Sequence, residues 1–101
     1  MKNIDYEQLQ DWIKNEKQFQ LIDVREANEH ASFNIGGTLL PLGKIQTMQT
    51  DDIDELKSEE VICYCRSGQR SMQAAMMLET FGFTNVKNLA GGMLGWQEKY
   101  K

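Results

Sequence analysis

A chain of 101 residues, 41% hydrophobic and 26% charged, fits one core and leaves no room for a second, so residues 1–101 read as a single domain. Its net charge of −4 excludes the basic face of a nucleic-acid-binding module, so any anionic ligand must be drawn by a local site. The start Met1-Lys2-Asn3-Ile4-Asp5 holds no apolar signal core and no stretch approaches membrane-spanning length, so a cytoplasmic protein with no membrane partner is expected.

Asp5 is placed to cap a first helix, with Gln8 reaching back from the third helical position and Ile4 stapling against Leu9. Leu9, Trp12 and Ile13 form the apolar face of that helix. Residues 20–24, with adjacent Leu21 and Ile22, read as a buried strand, and residues 26–33 as a short helix that stops before Gly36-Gly37. Thr38-Leu39-Leu40 reads as a second strand closed by Pro41. Between Gly43 and Glu60 the pattern is weak, apart from Thr50 as a cap for a helix over residues 51–56, whose early acids suit the helix dipole. Residues 61–64 form the clearest strand. A helix starting near Ser71 follows, with Ala74, Ala75, Leu78 and Phe81 at helical spacing and Gly82 as its C-terminal cap. Residues 84–89 make a last, less apolar strand, and Gly91-Gly92 turns into a final helical stretch around Leu94 and Trp96.

Strands alternating with helices predict an α/β fold with a parallel sheet covered on both faces. Ligands of such sheets bind beyond the carboxyl ends of the strands. Cys65 lies at that edge, and Asp23, Arg25 and Gly91 follow their own strands to the same side.

The densest chemistry is in Cys65-Arg66-Ser67-Gly68-Gln69-Arg70-Ser71. A cysteine between a strand and a helix sits where free backbone N–H groups converge and the helix dipole favours negative charge. Those conditions stabilise a thiolate, the nucleophilic form of cysteine. Gly68 permits the tight turn, and Arg66 and Arg70 add positive charge, so the run predicts an anion cradle with a nucleophile at its base. Cys63, in the middle of its strand, reads as a core residue. A bridge to Cys65 would distort the strand, so no structural disulfide is expected. Two cysteines and one histidine, His30, make a poor zinc set. His30, Trp12, Trp96 and most of the six methionines read as ordinary helix or packing residues, with Met93 a candidate for the mouth of the site.

With these pieces in hand, the chain resembles the rhodanese domain family of sulfurtransferases. The resemblance is carried by Leu21-Ile22-Asp23-Val24-Arg25-Glu26, Glu29, Asn34-Ile35-Gly36-Gly37, the stretch from Val61 through Ser71, Gly82-Phe83, and Leu89-Ala90-Gly91-Gly92-Met93-Leu94-Gly95-Trp96. Each piece alone is weak; the ordered set spans nearly the whole chain. One departure stands out: where the family has Gly-His-Ile before Pro-Gly-Ala, this chain reads Phe33-Asn34-Ile35-Gly36-Gly37-Thr38.

The resemblance implies a stand-alone, rhodanese-like three-layer sandwich, its central, mostly parallel sheet of four to five strands flanked by helices. It implies Cys65 as the catalytic nucleophile, taking sulfur from a small anionic donor such as thiosulfate and passing it to cyanide, a thiol or a partner protein's thiol. Backbone amides of Arg66, Ser67, Gly68, Gln69, Arg70 and Ser71 would hold the transferred sulfur, with no metal or organic cofactor. Arg66 is expected to face the mouth, and Arg70 to turn inward to Asp23 or Glu29, with Asp23, Arg25 and Glu29 as supporting residues. Two alternatives belong to other classes. Phosphatases and arsenate reductases on a related fold place an arginine six positions after the cysteine, where this chain has Ser71. Inactive docking members of the family lose the cysteine or load the loop with acids, whereas this loop keeps Cys65 and is cationic.

Overall fold

Five short parallel strands form the centre of the computed structural model, which describes residues 1–100. They are β1 (Lys2–Ile4), β2 (Gln20–Asp23), β3 (Thr38–Leu39), β4 (Val61–Tyr64) and β5 (Val86–Leu89), in the spatial order β1-β5-β4-β2-β3. The connections carry α1 (Tyr6–Lys14), α2 (Ala27–Ser32), α3 (Leu42–Gln46), a 3₁₀ turn (Asp51–Leu56) and α4 (Gln69–Thr80), and α5 (Gly92–Lys99) follows the last strand. A parallel ladder requires such crossovers, and they cover the sheet on both faces.

β4 is central and all four of its residues are buried. Its alternation divides the core. Val61 and Cys63, with Cys65 just beyond, join Ile22, Val24 and Val86 under Ala74, Ala75 and Leu78 of α4. Ile62 and Tyr64 face the other way, with Ile4 and Leu89 against Leu9 of α1 and Met93 and Trp96 of α5. Each apolar layer thus closes one side of the same strand, and the end of that strand is fixed from both sides.

Several local expectations hold in altered form. Asp5 accepts from the Gln8 backbone N–H at 2.8 Å, which is half of the expected capping box. Ile4 is buried in the same apolar layer as Leu9, but as part of β1, an edge strand that three residues of low alternation do not announce. Gly82, at φ +103°, ends α4 as expected, with Phe83 N–H donating to Leu78 O and Gly82 N–H to Glu79 O. The stretch over residues 51–56 is a 3₁₀ turn and Thr50 makes no side-chain cap. The weakly patterned middle contains α3, which the sequence does not reveal because only Ile45 of its five residues is buried.

Candidate active site

β4 delivers Cys65 to the carboxyl edge of the sheet, and α4 begins four residues later. Gly68 makes the turn at φ +100°, in the left-handed region, as the N-cap residue of α4. The turn folds the loop over the sulfur: Gly68 N–H donates to Cys65 Sγ at 3.1 Å and Ser71 N–H at 3.4 Å, with Ser71 Oγ also 3.4 Å away. Burial pushes the Cys65 thiol up, but the Ser71 hydroxyl and the backbone donors of Ser71, Gly68 and Ser67 outweigh it and hold the pKa below its ordinary value. Cys63 has burial without such donors, and is pushed up to about 12. The two thiols, two residues apart, therefore differ in chemistry because one lies in the strand and the other in the cradle.

α5 holds the first peptides of the loop. Met93 N–H donates to Cys65 O at 2.8 Å and Leu94 N–H to Arg66 O at 2.9 Å. The fit is tight enough that a Cβ on Gly92 would stand 2.5 Å from both carbonyl oxygens, so glycine is required there. Tyr6 of α1 donates its hydroxyl to Gly92 O at 2.6 Å and locks the same turn from outside.

The outer side of the loop is tied to α2. Arg70 makes a bidentate pair with Glu29, both contacts 2.9 Å, so the inward-turning arginine finds Glu29 rather than Asp23. Asp23 is taken by others: Arg25 reaches both of its carboxylate oxygens at 2.8 and 2.9 Å, and His30 Nδ1 lies 2.8 Å from Oδ2. Arg25 also donates to Phe33 O at 2.5 Å, joining the end of β2 to the end of α2. His30 is partly exposed in its short helix, and its contact with the buried Asp23 is a link across seven residues that no local pattern signals. Arg66, Ser67 and Gln69 are exposed on the loop's outer surface. Arg66 borders a cleft of about 260 Å³ between α2 and α5, lined also by Arg25, Glu29, Phe33, Met93 and Leu94. The expected Cys65 loop and the expected supporting residues therefore meet in one place, and Met93 does reach its rim. Asn88 of β5, which sequence reading passed over, is bonded to Ser71 behind the loop.

The Arg70–Glu29 pair has a consequence in acid. The Arg70 hydrogen bonds bring Glu29 from an ordinary 4.5 to about 2. A carboxylate lowered on folding stabilises the fold above its unfolded pKa and loses that contribution as pH falls through the folded value. Wild-type stability should therefore drop between pH about 4.5 and about 2 more steeply than that of Glu29→Gln. Thermal melts of both proteins across that range check it, and parallel curves would remove the pair from any role in acid stability.

The rhodanese-like domain model matches residues 5–99 of the chain. A sulfurtransferase of Allochromatium vinosum is 35% identical over 97 residues, covering 95% of this chain and 88% of that protein. The human thiosulfate:glutathione sulfurtransferase is 28% identical over 92 residues, covering 79% of this chain and 80% of its own length. The solved structure of a human single-domain sulfurtransferase, TSTD1, superposes with a TM-score of 0.83 at 23% identity, covering 100% of this chain and 99% of that one. The expected α/β architecture is the one found, with all five strands parallel.

Proposed function

The chain belongs to the rhodanese-like domain family, and on that premise we propose that it is a sulfurtransferase working through a Cys65 persulfide. The observation that carries the proposal is the ring of polar groups around Cys65 Sγ, two backbone N–H donors and the Ser71 hydroxyl oxygen. The Cys65 thiolate attacks the outer sulfur of a donor such as thiosulfate. The donor's S–S bond breaks, sulfite leaves with the bonding pair, and a Cys65 persulfide anion remains. The same donors that favour the thiolate are placed to hold the charge of that terminal sulfur. A cyanide or thiolate acceptor then attacks the outer sulfur, leaving as thiocyanate or as a new persulfide and restoring the Cys65 thiolate.

The exposed Arg66 guanidinium beside the cleft supports a role in attracting the anionic donor, and the cleft's apolar wall of Phe33, Met93 and Leu94 suits the body of a thiol acceptor. Phosphoryl transfer is less well supported. Arg70 directs both terminal nitrogens to Glu29, and so takes the role of a loop brace instead of a clamp over a tetrahedral anion. Intact-mass measurement before and after thiosulfate, followed by peptide mapping, tests the proposal. One added sulfur on Cys65, removed by cyanide with release of thiocyanate, is the expected result; an unchanged mass with thiosulfate and with small-molecule persulfide donors would defeat it.

A further inference from the structure

Asn88 is 1% exposed in the middle of β5, an unfavourable place for a side chain with two donors and an acceptor. Along β5 it shares a face with Val86, the face that carries Cys63 and Cys65, and its Cα is paired with Asn3 in β1 and Cys63 in β4. Its polar atoms are all accounted for. Asn88 Oδ1 accepts a hydrogen bond from Ser71 Oγ, and Asn88 Nδ2 donates to Asn3 Oδ1 at 3.1 Å. Ser71 Oγ in turn is 3.4 Å from Cys65 Sγ. A continuous polar chain therefore runs from the sulfur across two strands to the exposed edge of the sheet.

A serine hydroxyl has one proton and donates to one neighbour at a time. With Ser71 donating to Asn88 Oδ1, its oxygen is left to accept from a Cys65 thiol. That is a complete set of bonds for protonated cysteine. An ionised sulfur has no proton to give and needs donors instead. Turning the Asn88 amide over places Nδ2 against Ser71 Oγ and frees the hydroxyl proton for the sulfur. Asn88 Oδ1 then accepts from the Asn3 amide, which is exposed and free to turn as well. Ser71, Asn88 and Asn3 keep their own protons throughout, and the thiol proton leaves to water.

We propose that Asn88 is a positioning residue for Cys65: its amide sets the direction of the Ser71 hydroxyl, toward the amide while Cys65 is a thiol and toward sulfur once it is a thiolate or persulfide. The placement explains why a buried asparagine lies beside Val86 and Cys63 of the apolar layer. Two orientations of one amide give the cradle a complete bonding pattern in each charge state. A core packed with leucine at this position would leave the Ser71 hydroxyl with no fixed second partner. The inference rests on Cys65 as the nucleophile, and deepens that reading by adding the residue that aims its side-chain donor.

The test is the pH dependence of Cys65 alkylation by iodoacetamide, followed on the Cys65 peptide by mass spectrometry. The charged groups nearest the loop, Arg66, Arg70 with Glu29, and Asp23 with Arg25 and His30, lie on other elements and stay in place in the Asn88 variants. Asn88→Leu should move the alkylation midpoint upward by about one unit, which is about tenfold less thiolate at any pH below both midpoints. Asn88→Ser, which retains a small donor and acceptor and keeps the test open if the leucine variant does not fold, should move it less in the same direction. In a Ser71→Ala background neither Asn88 change should add a further shift, because the group through which Asn88 acts is gone. A lower melting temperature with an unmoved midpoint would reduce Asn88 to a structural residue and overturn the proposal. A shift of equal size with and without Ser71 would also overturn it. Because no sulfur donor enters the assay, a failure of Cys65 to take up sulfur leaves this result standing and defeats only the proposed function.

Discussion

Cys65→Ser is expected to lower thiosulfate-to-cyanide sulfur transfer by at least about three orders of magnitude, the scale seen when an enzyme loses its nucleophile. The serine oxygen would sit in the same ring of donors, but an alcohol at neutral pH carries no anion for that ring to stabilise and cannot accept a sulfane sulfur. Cys63→Ala should retain most of the activity. Its thiol is fully buried and raised to about 12, so it supplies almost no thiolate, and alanine avoids placing a hydroxyl in an apolar layer. Its expected effect is on stability, through the small cavity left between β4 and α4. Steady-state rates and melting curves for both variants decide the matter. Comparable losses of rate in the two, with both proteins folded, would mean that the thiols act together and that the single-cysteine mechanism is wrong.

The cysteine loop was legible because its chemistry is local. Strand, cysteine, glycine and helix follow one another within a dozen residues, and the donors to Cys65 Sγ come from the loop itself. The same holds for β4, whose unbroken apolar run reflects burial on both faces. What stayed hidden depends on distant partners. β1 is three residues long and has one buried side chain, so its place at the edge is decided by Asn3 and Ile4 meeting β5, 85 residues away. The choice of Glu29 over Asp23 as the partner of Arg70 depends on Arg25 and His30 having already filled the Asp23 carboxylate. Asn88 carries no signal in the less apolar strand over residues 84–89, since only the fold brings Ser71 of α4 to it. α3 and the 3₁₀ turn each bury a single isoleucine, Ile45 and Ile53, which is too little to set a period.

Arg25→Met should produce the largest loss of stability among the site's ion pairs. Arg25 and Asp23 are 5% and 0% exposed, and the guanidinium meets both carboxylate oxygens while also holding Phe33 O. Methionine replaces the length of the side chain but leaves the Asp23 carboxylate buried with only His30 and the backbone N–H of residue 25. Breaking a buried pair in this way costs about 3–5 kcal/mol, whereas removing both charges together costs much less because neither is stranded. The double variant Asp23→Asn with Arg25→Met should accordingly melt higher than Arg25→Met alone. The pH response should separate them too. Burial pushes Asp23 up, but its hydrogen bonds from Arg25 and His30 prevail and hold it below 3.8 in the wild type. That contribution is present above 3.8 and is lost as pH falls below it. Without Arg25 the effect of burial meets less opposition, Asp23 rises, and protonation relieves the stranded charge. The stability gap between wild type and Arg25→Met should therefore narrow as the solution is acidified through 3.8. Denaturant titrations of the three proteins at neutral and acidic pH read both effects. If Arg25→Met were no less stable than the double variant, and its deficit constant with pH, then the Asp23 carboxylate is not confined as its contacts indicate, and Arg25 contributes packing rather than charge.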